Sequence, residues 1–432
     1  MRRVVSFEQS PPLAAPLRFF LIAPLYAMAS AVLLLWQGPD AFASRWTPAA
    51  LALTHLMTLG FLSLSMIGAL LQILPVVAGV EVWRPVLTGR AVHLLLAAGA
   101  AVLPAAFLTM EPLLFQLAVV LLASGFSWLL AACWPGLWHV VAPSATLKSI
   151  RLALLALLVT VGLGLTLAGA FAWSANLPLM QLTDLHAGWG LGGWVGLLVI
   201  GVAYQVVPMF QLTPIYPPRV TRWLAGLLFL LLVAWTIGTT TASAPAWAQA
   251  LPGVLAAAGY AAFAILTISL LWRRKRPTAE PTTLFWYLGL ASLLAGAALW
   301  AAGSWLPGNA GHSSFAITVG VLLIVGFASS TINGMLYKIV PFLVWYHLQT
   351  RLVAGPVKAP NVRQVIAPGA TRGQFASHAL ALLLLLAATI WPAQLARLAA
   401  AAFLLSSGWL WVNLLSAFLL YRRRISAVAL AS

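Results

Sequence analysis

Apolar residues run along this chain in blocks of about 20, the length at which an α-helix crosses a hydrocarbon core of roughly 30 Å. Twelve blocks follow one another, beginning near Leu17, Ala50, Leu87, Pro112, Ser149, Leu179, Val220, Leu251, Leu284, Ser313, Gln374 and Leu398. Helices of a soluble bundle would keep a polar stripe toward water, and these blocks have almost none. The pattern predicts an all-α polytopic membrane protein with twelve transmembrane helices. The breaks between blocks are short except for Leu348 to Gly373, a basic stretch containing Pro and Gly.

One motif recurs within the blocks. Gly60-Phe61 is followed by Gly68, Gln72 and Pro75, Gly193-Trp194 by Gly201, Gln205 and Pro208, and Gly326-Phe327 by Gly334, Lys338 and Pro341, with the same interval from the first copy to the second as from the second to the third. So strict a period marks an internal repeat. Four helices fall in each unit, at about residues 1–147, 148–281 and 282–432. An even number lets every unit enter the membrane in the same sense, so the three pseudo-repeats are expected to be related by rotation about the membrane normal. The motif-bearing second, sixth and tenth helices are the expected inner ones. Gly-rich faces ask for close neighbours, so the units are expected to pack as a single membrane domain.

Charged residues make up 7% of the chain against 62% hydrophobic, yet the formal net charge is +17. The position of that charge excludes nucleic acid as the partner. Lys and Arg gather in alternate loops (Arg2, Arg3 and Arg18; Arg84 and Arg90; Lys148 and Arg151; Arg219 and Arg222; Arg273 to Arg276; Arg351 to Arg372; Arg422 to Arg424), while the other side keeps only Arg45 and Arg397. The positive-inside rule then places both termini in the cytoplasm, with the lipid bilayer as the partner of the surface. No cleavable signal is read before the first span. Cys133 is the lone cysteine, which rules out a disulfide framework or a cysteine-only metal site.

Histidines carry most of the candidate chemistry. His55 and His186 precede the motif glycines of the second and sixth spans by five and seven residues, which puts them within about 3 Å of the same depth. A difference of two residues is also about 200° around an α-helix, so the two side chains are expected to face different directions and need not share a ligand. Imidazole is the commonest metal ligand and also an interhelical hydrogen-bond partner, and polar groups within a membrane are functional candidates by default. His312, at the outer end of the tenth span, is a third candidate. His93 and His378 lie near the inner ends of the third and eleventh spans, and His139 and His347 border cytoplasmic loops.

Lys338 stands where the other two copies have Gln72 and Gln205. An ammonium costs about 2.5–3.5 kcal/mol at a helix centre and less near the interface. Two readings follow: Lys338 snorkels to the surface, or it forms a polar path with Gln72, Gln205 and the nearby Asn333. Met57, Met66, Met180, Met209 and Met335 offer thioethers, but their spacing reads as packing rather than a Cu(I) relay. No carboxylate pair, phosphate-binding loop, zinc motif or nucleophile elbow is present in a credible context.

Twelve helices with cytoplasmic termini, three four-helix arcs and histidines on the second and sixth spans resemble the catalytic subunit of heme-copper oxidases and nitric-oxide reductases, and the smaller NnrS-type proteins allied to it. Thr54-His55-Leu56-Met57-Thr58-Leu59-Gly60-Phe61 looks like the helix that supplies a low-spin heme ligand there. Asp184-Leu185-His186 occupies the helix that supplies a copper-site histidine. The departures are equally specific. The seventh span has no paired histidines, the tenth has no His-x-His, and Gly190 stands where one oxidase class carries a tyrosine linked to the copper histidine. The resemblance therefore implies a scaffold that binds heme b or copper through His55 and His186, with His312 as a further heme-site candidate, but is not a complete terminal oxidase. It implies handling of a redox ligand such as nitric oxide, electron transfer or cofactor delivery in a bacterial inner (cytoplasmic) membrane, with a redox or assembly partner protein. The alternative is a cofactor-free permease for a small molecule or ion.

The charge pattern makes a topological prediction: with Lys358 replaced by Cys, an impermeant thiol reagent should label the chain in inverted vesicles and leave it unlabelled from outside intact cells.

Overall fold

The computed structural model describes residues 11–241, 243–276, 278–305, 313–352 and 360–429, and these residues form helices without a strand among them. Twelve long helices follow in order: α1 (Ala14–Phe42), α2 (Pro48–Ala78), α3 (Pro85–Thr109), α4 (Pro112–His139), α5 (Ala145–Trp173), α6 (Leu179–Gln211), α7 (Pro218–Thr240), α8 (Ala246–Trp272), α9 (Pro281–Gly303), α10 (Ser314–Leu352), α11 (Pro368–Ala388) and α12 (Pro392–Ala427). Many open on proline, whose missing N–H costs nothing in a first turn. Side-chain caps serve others, with Thr47 accepting from the Ala50 amide and Ser144 from the Leu147 amide. At the end of α2 the backbone turns left-handed at Gly79, φ 62°, which a residue without Cβ adopts freely.

Among the described residues, eleven of these helices are long and apolar enough to cross a membrane, so the chain is a multi-pass membrane protein. The twelfth expected span falls in α11. Thr371, Arg372, Gln374, Ser377 and His378 make the first half of that helix polar, which keeps it outside the apolar set.

The helix contacts run around a closed bundle. α1 packs on α2, α5 on α6 and α9 on α10; α3 packs on α4, α7 on α8 and α11 on α12; and α4 meets α5, α8 meets α9, and α12 returns to α1. The motif helices lie innermost: 83% of the most apolar stretch of α2, 67% of α6 and 61% of α10 is buried, against 28% of α5 and 17% of α7. Each inner helix widens into π-helical turns, at Leu56–Ser63, Trp189–Gly196 and Leu322–Ser329, spaced by the same interval as the motif. A cavity of about 70 Å³ lies between the three, lined by Ser65, Leu198 and Thr331, by Met66, Val199 and Ile332, and by Ile73, Val206 and Ile339.

The motif glycines turn away from that cavity. A Cβ at Gly68 would come within 2.8 Å of the Phe19 Cβ on α1, at Gly201 within 2.5 Å of the Ser149 Cβ on α5, and at Gly334 within 2.8 Å of the Phe285 Cβ on α9. Backbone carbonyls stand at 3.2–3.4 Å from the same points, those of Pro16, Thr146 and Thr282. Each inner helix thus rests on the helix that opens its own stretch of chain, at a distance only glycine allows. Replacing Gly201 with Leu should therefore lower stability by roughly 1–3 kcal/mol through overpacking. Thermal unfolding of the detergent-solubilised variant checks this, and an unchanged midpoint would contradict it.

Candidate functional site

His55 ends the first α-helical part of α2, immediately before its π turns, and His186 sits just ahead of the π turns of α6. Contrary to the divergence expected from the sequence, the two imidazoles come together: their ring centroids are 6.2 Å apart and their planes 19° from parallel. The angle along one helix does not decide this alone: whether side chains on two helices meet also depends on how the helices are turned relative to each other, which the spacing does not give.

Both rings have a determined proton. His55 Nδ1 lies 2.7 Å from the Leu51 carbonyl and His186 Nδ1 lies 3.0 Å from the Thr160 carbonyl on α5. A carbonyl only accepts, so each Nδ1 carries hydrogen and each Nε2 keeps its lone pair. Packing holds the rings in place. Phe107 lies 5.1 Å from His55 within a cluster with Phe115 and Phe171. Gly164 makes room for His186, since a Cβ there would stand 2.8 Å from its Cε1.

The two histidines line a cavity of about 290 Å³ whose walls are otherwise mainly apolar, with Phe126, Leu157 and Trp194 among them. Three of its threonine hydroxyls are turned back onto their own helices: Thr54 donates to the Ala50 carbonyl, Thr58 to Thr54 and Thr160 to Ala156. Trp194 Nε1 donates to Ser63 Oγ at 3.3 Å. No wall residue other than the histidines is thus a ready acid or base. Trp46 and Thr183 mark one end of the cavity, and their chain neighbours Arg45 and Asp184 form an ion pair at 2.7 Å that ties the α1–α2 turn to α6. Arg45 also lies over the Trp46 ring at 4.3 Å.

The other candidates lie elsewhere. His312 is outside the described residues. His93 meets Phe19 edge-on at 5.2 Å, and His378 is buried against Ser330 and Phe285. Among the described residues no group of three or more His, Cys, Asp or Glu side chains is placed to hold a metal, so a metal here would rest on the histidine pair and on ligands of other kinds.

Gln72, Gln205 and Lys338 do not line the cavity between the inner helices. Lys338 instead pairs with Glu280, the residue before α9, which also pairs with Arg276 and lies 3.7 Å from Arg363. Sequence reasoning missed Glu280, although it is one of only six acidic residues in the chain and follows the Arg273 to Arg276 run. That scarcity was the available signal.

No protein-family model matches the chain, and no curated protein is similar enough to it to count as a relative.

Burial alone would raise the Glu280 carboxyl, but the hydrogen bond and charge of Lys338, with Arg276 and Arg363, outweigh it and hold the group below its ordinary value of 4.5. A carboxyl lowered in the folded state stabilises above its unfolded value, and the contribution disappears as pH falls through the lowered one. Thermal midpoints measured against pH should therefore drop below about pH 4.5 in part through Glu280. Glu280→Gln should be less stable than wild type at neutral pH and show a shallower acid-side drop.

Proposed function

We propose that the chain is a heme- or metal-binding member of the bacterial inner membrane, built as three four-helix units turned about the membrane normal, with α11 as the twelfth span and both termini cytoplasmic. The unit boundaries would fall near residues 147 and 281. Equal spacing of the motif, the π turns and the cavity-lining triplets supports this arrangement, as does the order of helix contacts.

The observation that carries the functional reading is the histidine pair. Metal-ligating histidines characteristically donate one ring N–H to a carbonyl and offer the other nitrogen to the ion, and His55 and His186 both have this arrangement at an apolar cavity. Through their free Nε2 atoms His55 and His186 would hold copper or the iron of a heme. Bound there, the group would supply one-electron chemistry or an open position for a diatomic redox ligand such as nitric oxide. The chain's own part is to fix both tautomers, exclude water through Phe107, Phe126 and Trp194, and offer no second acid or base in the cavity wall. That suits ligand handling, electron transfer or cofactor delivery to a partner protein better than oxygen reduction. The likeness to the heme-copper oxidase and NnrS group rests on the helix plan and on the placement of these histidines.

Metal analysis and the reduced spectrum of purified protein, with and without carbon monoxide, test this reading. Wild type should carry heme or copper, and His55→Ala or His186→Ala should lose it or shift its bands. Absence of any heme or metal from cofactor-replete protein, or a detected cofactor indifferent to both substitutions, would remove the assignment and favour the cofactor-free permease.

A further inference from the structure

Helices α10, α11 and α12 are joined by buried side-chain hydrogen bonds between each pair. Ser330 Oγ meets His378 Nε2 at 2.9 Å between α10 and α11. Gln374 Nε2 donates to the carbonyl and hydroxyl of Ser406, both at 3.2 Å, between α11 and α12. Asn413 Nδ2 donates to the Tyr337 hydroxyl at 2.8 Å between α12 and α10. Ser330, Asn333 and Tyr337 share one face of α10 by their spacing of three and four. That face is opposite the one lining the cavity between the inner helices, where Thr331, Ile332 and Met335 lie.

Two acceptors in this seam have no donor. Asn333 Oδ1 and Gln374 Oε1 are buried and unpartnered, and the residues are 3% and 0% exposed. A carboxamide oxygen only accepts, so whatever satisfies it must bring hydrogen or positive charge. In a hydrocarbon surround no bulk water is at hand to do so.

The chain contains its own control. At the matching places in the second and first copies of the motif helix, Ser330 corresponds to Leu197 and Leu64, and Asn333 to Ile200 and Ile67. All four aliphatic residues are fully buried on inner helices of the same shape. Leucine and isoleucine therefore suffice to pack this part of an inner helix, and the polar residues of α10 are not needed for packing. The seam also leads somewhere: Tyr337 adjoins Lys338, whose side chain is 19% exposed and paired with Glu280 at the membrane face carrying the Arg273 to Arg276 run.

We infer that the α10–α11–α12 seam is a hydrated inlet, in which water enters beside Lys338 and Glu280 and reaches Asn333, Gln374 and His378 inside the bundle. Water is the occupant that fits: it donates to both orphaned oxygens, and it needs no compensating carboxylate, of which the seam has none. The inlet ends at the imidazole of His378, which Phe285 covers at 5.8 Å. It thereby brings protons from one membrane face to a buried titratable group, independently of any cofactor at His55 and His186.

The test uses the full-length chain in lipid vesicles. In a Cys133→Ala background, Asn333→Cys and the matched Ile200→Cys are exposed to a small impermeant methanethiosulfonate from the Lys338 face. The inlet requires Asn333→Cys to react at least about tenfold faster than Ile200→Cys, and equal rates in two folded variants overturn it. Should either variant fail to fold, hydroxyl-radical footprinting of wild type in ¹⁸O water decides: Tyr337 must gain labelled oxygen faster than the buried Phe115, and labelling no faster than Phe115 also overturns the inlet.

Discussion

Inside a bilayer, a backbone carbonyl that loses its helical partner finds no water to replace it. The three inner helices each create this problem, because a π turn shifts the hydrogen-bond register and releases carbonyls. The surrounding helices answer it from side chains. The Gly192 carbonyl takes the Tyr260 hydroxyl at 2.6 Å, and the carbonyl of Val325, at the matching place on α10, takes His378. Ser329 turns back to the Ile324 carbonyl at 2.7 Å. The first two donors come from α8 and α11, so the outer helices are positioned partly by what the inner ones lack.

The π turns also set the relation between chemistry and packing. They lie between the histidines and the glycines on the same helix, and their wider turn fixes which way His55 and His186 point once Gly68 and Gly201 are seated on α1 and α5. The histidine pair therefore occurs where two inner helices face each other, with Thr160 of α5 completing its hydrogen bonds. A second polar region sits in a different place, within α10 to α12. The two regions differ in kind: the first is an apolar cavity with two oriented lone pairs, and the second a seam of amides and hydroxyls with oxygens left over.

Charge follows the same economy. With six acidic residues in the whole chain, each carboxylate has an outsized share of the electrostatics. Asp184 meets Arg45 at one end of the histidine cavity, and Glu280 gathers Lys338, Arg276 and Arg363 at the mouth of the seam. Exposed pairs of the first kind contribute little to stability, on the order of 1 kcal/mol or less, and their value is positional. Lys338 shows how a cation near the end of a membrane helix becomes tolerable: it keeps one end in reach of water and finds its partner on the loop before the next-packed helix.

By itself the sequence determined the membrane character, the approximate helix ends and the strict period of the motif. A bilayer demands some 20 apolar residues per crossing, roughly its thickness divided by the helical rise, and close helix contact demands glycine, so both constraints are written along the chain. His55 and His186 were also legible as candidates, being imidazoles in apolar spans. Only the tertiary structure decided that they converge, because no single-helix pattern says which helices face or how they are turned relative to each other. The Lys338–Glu280 pair, 58 residues apart, and the cross-links among α10, α11 and α12 were hidden for the same reason: a hydrogen bond or ion pair depends on which helices the packing brings side by side, which spacing within one helix does not encode.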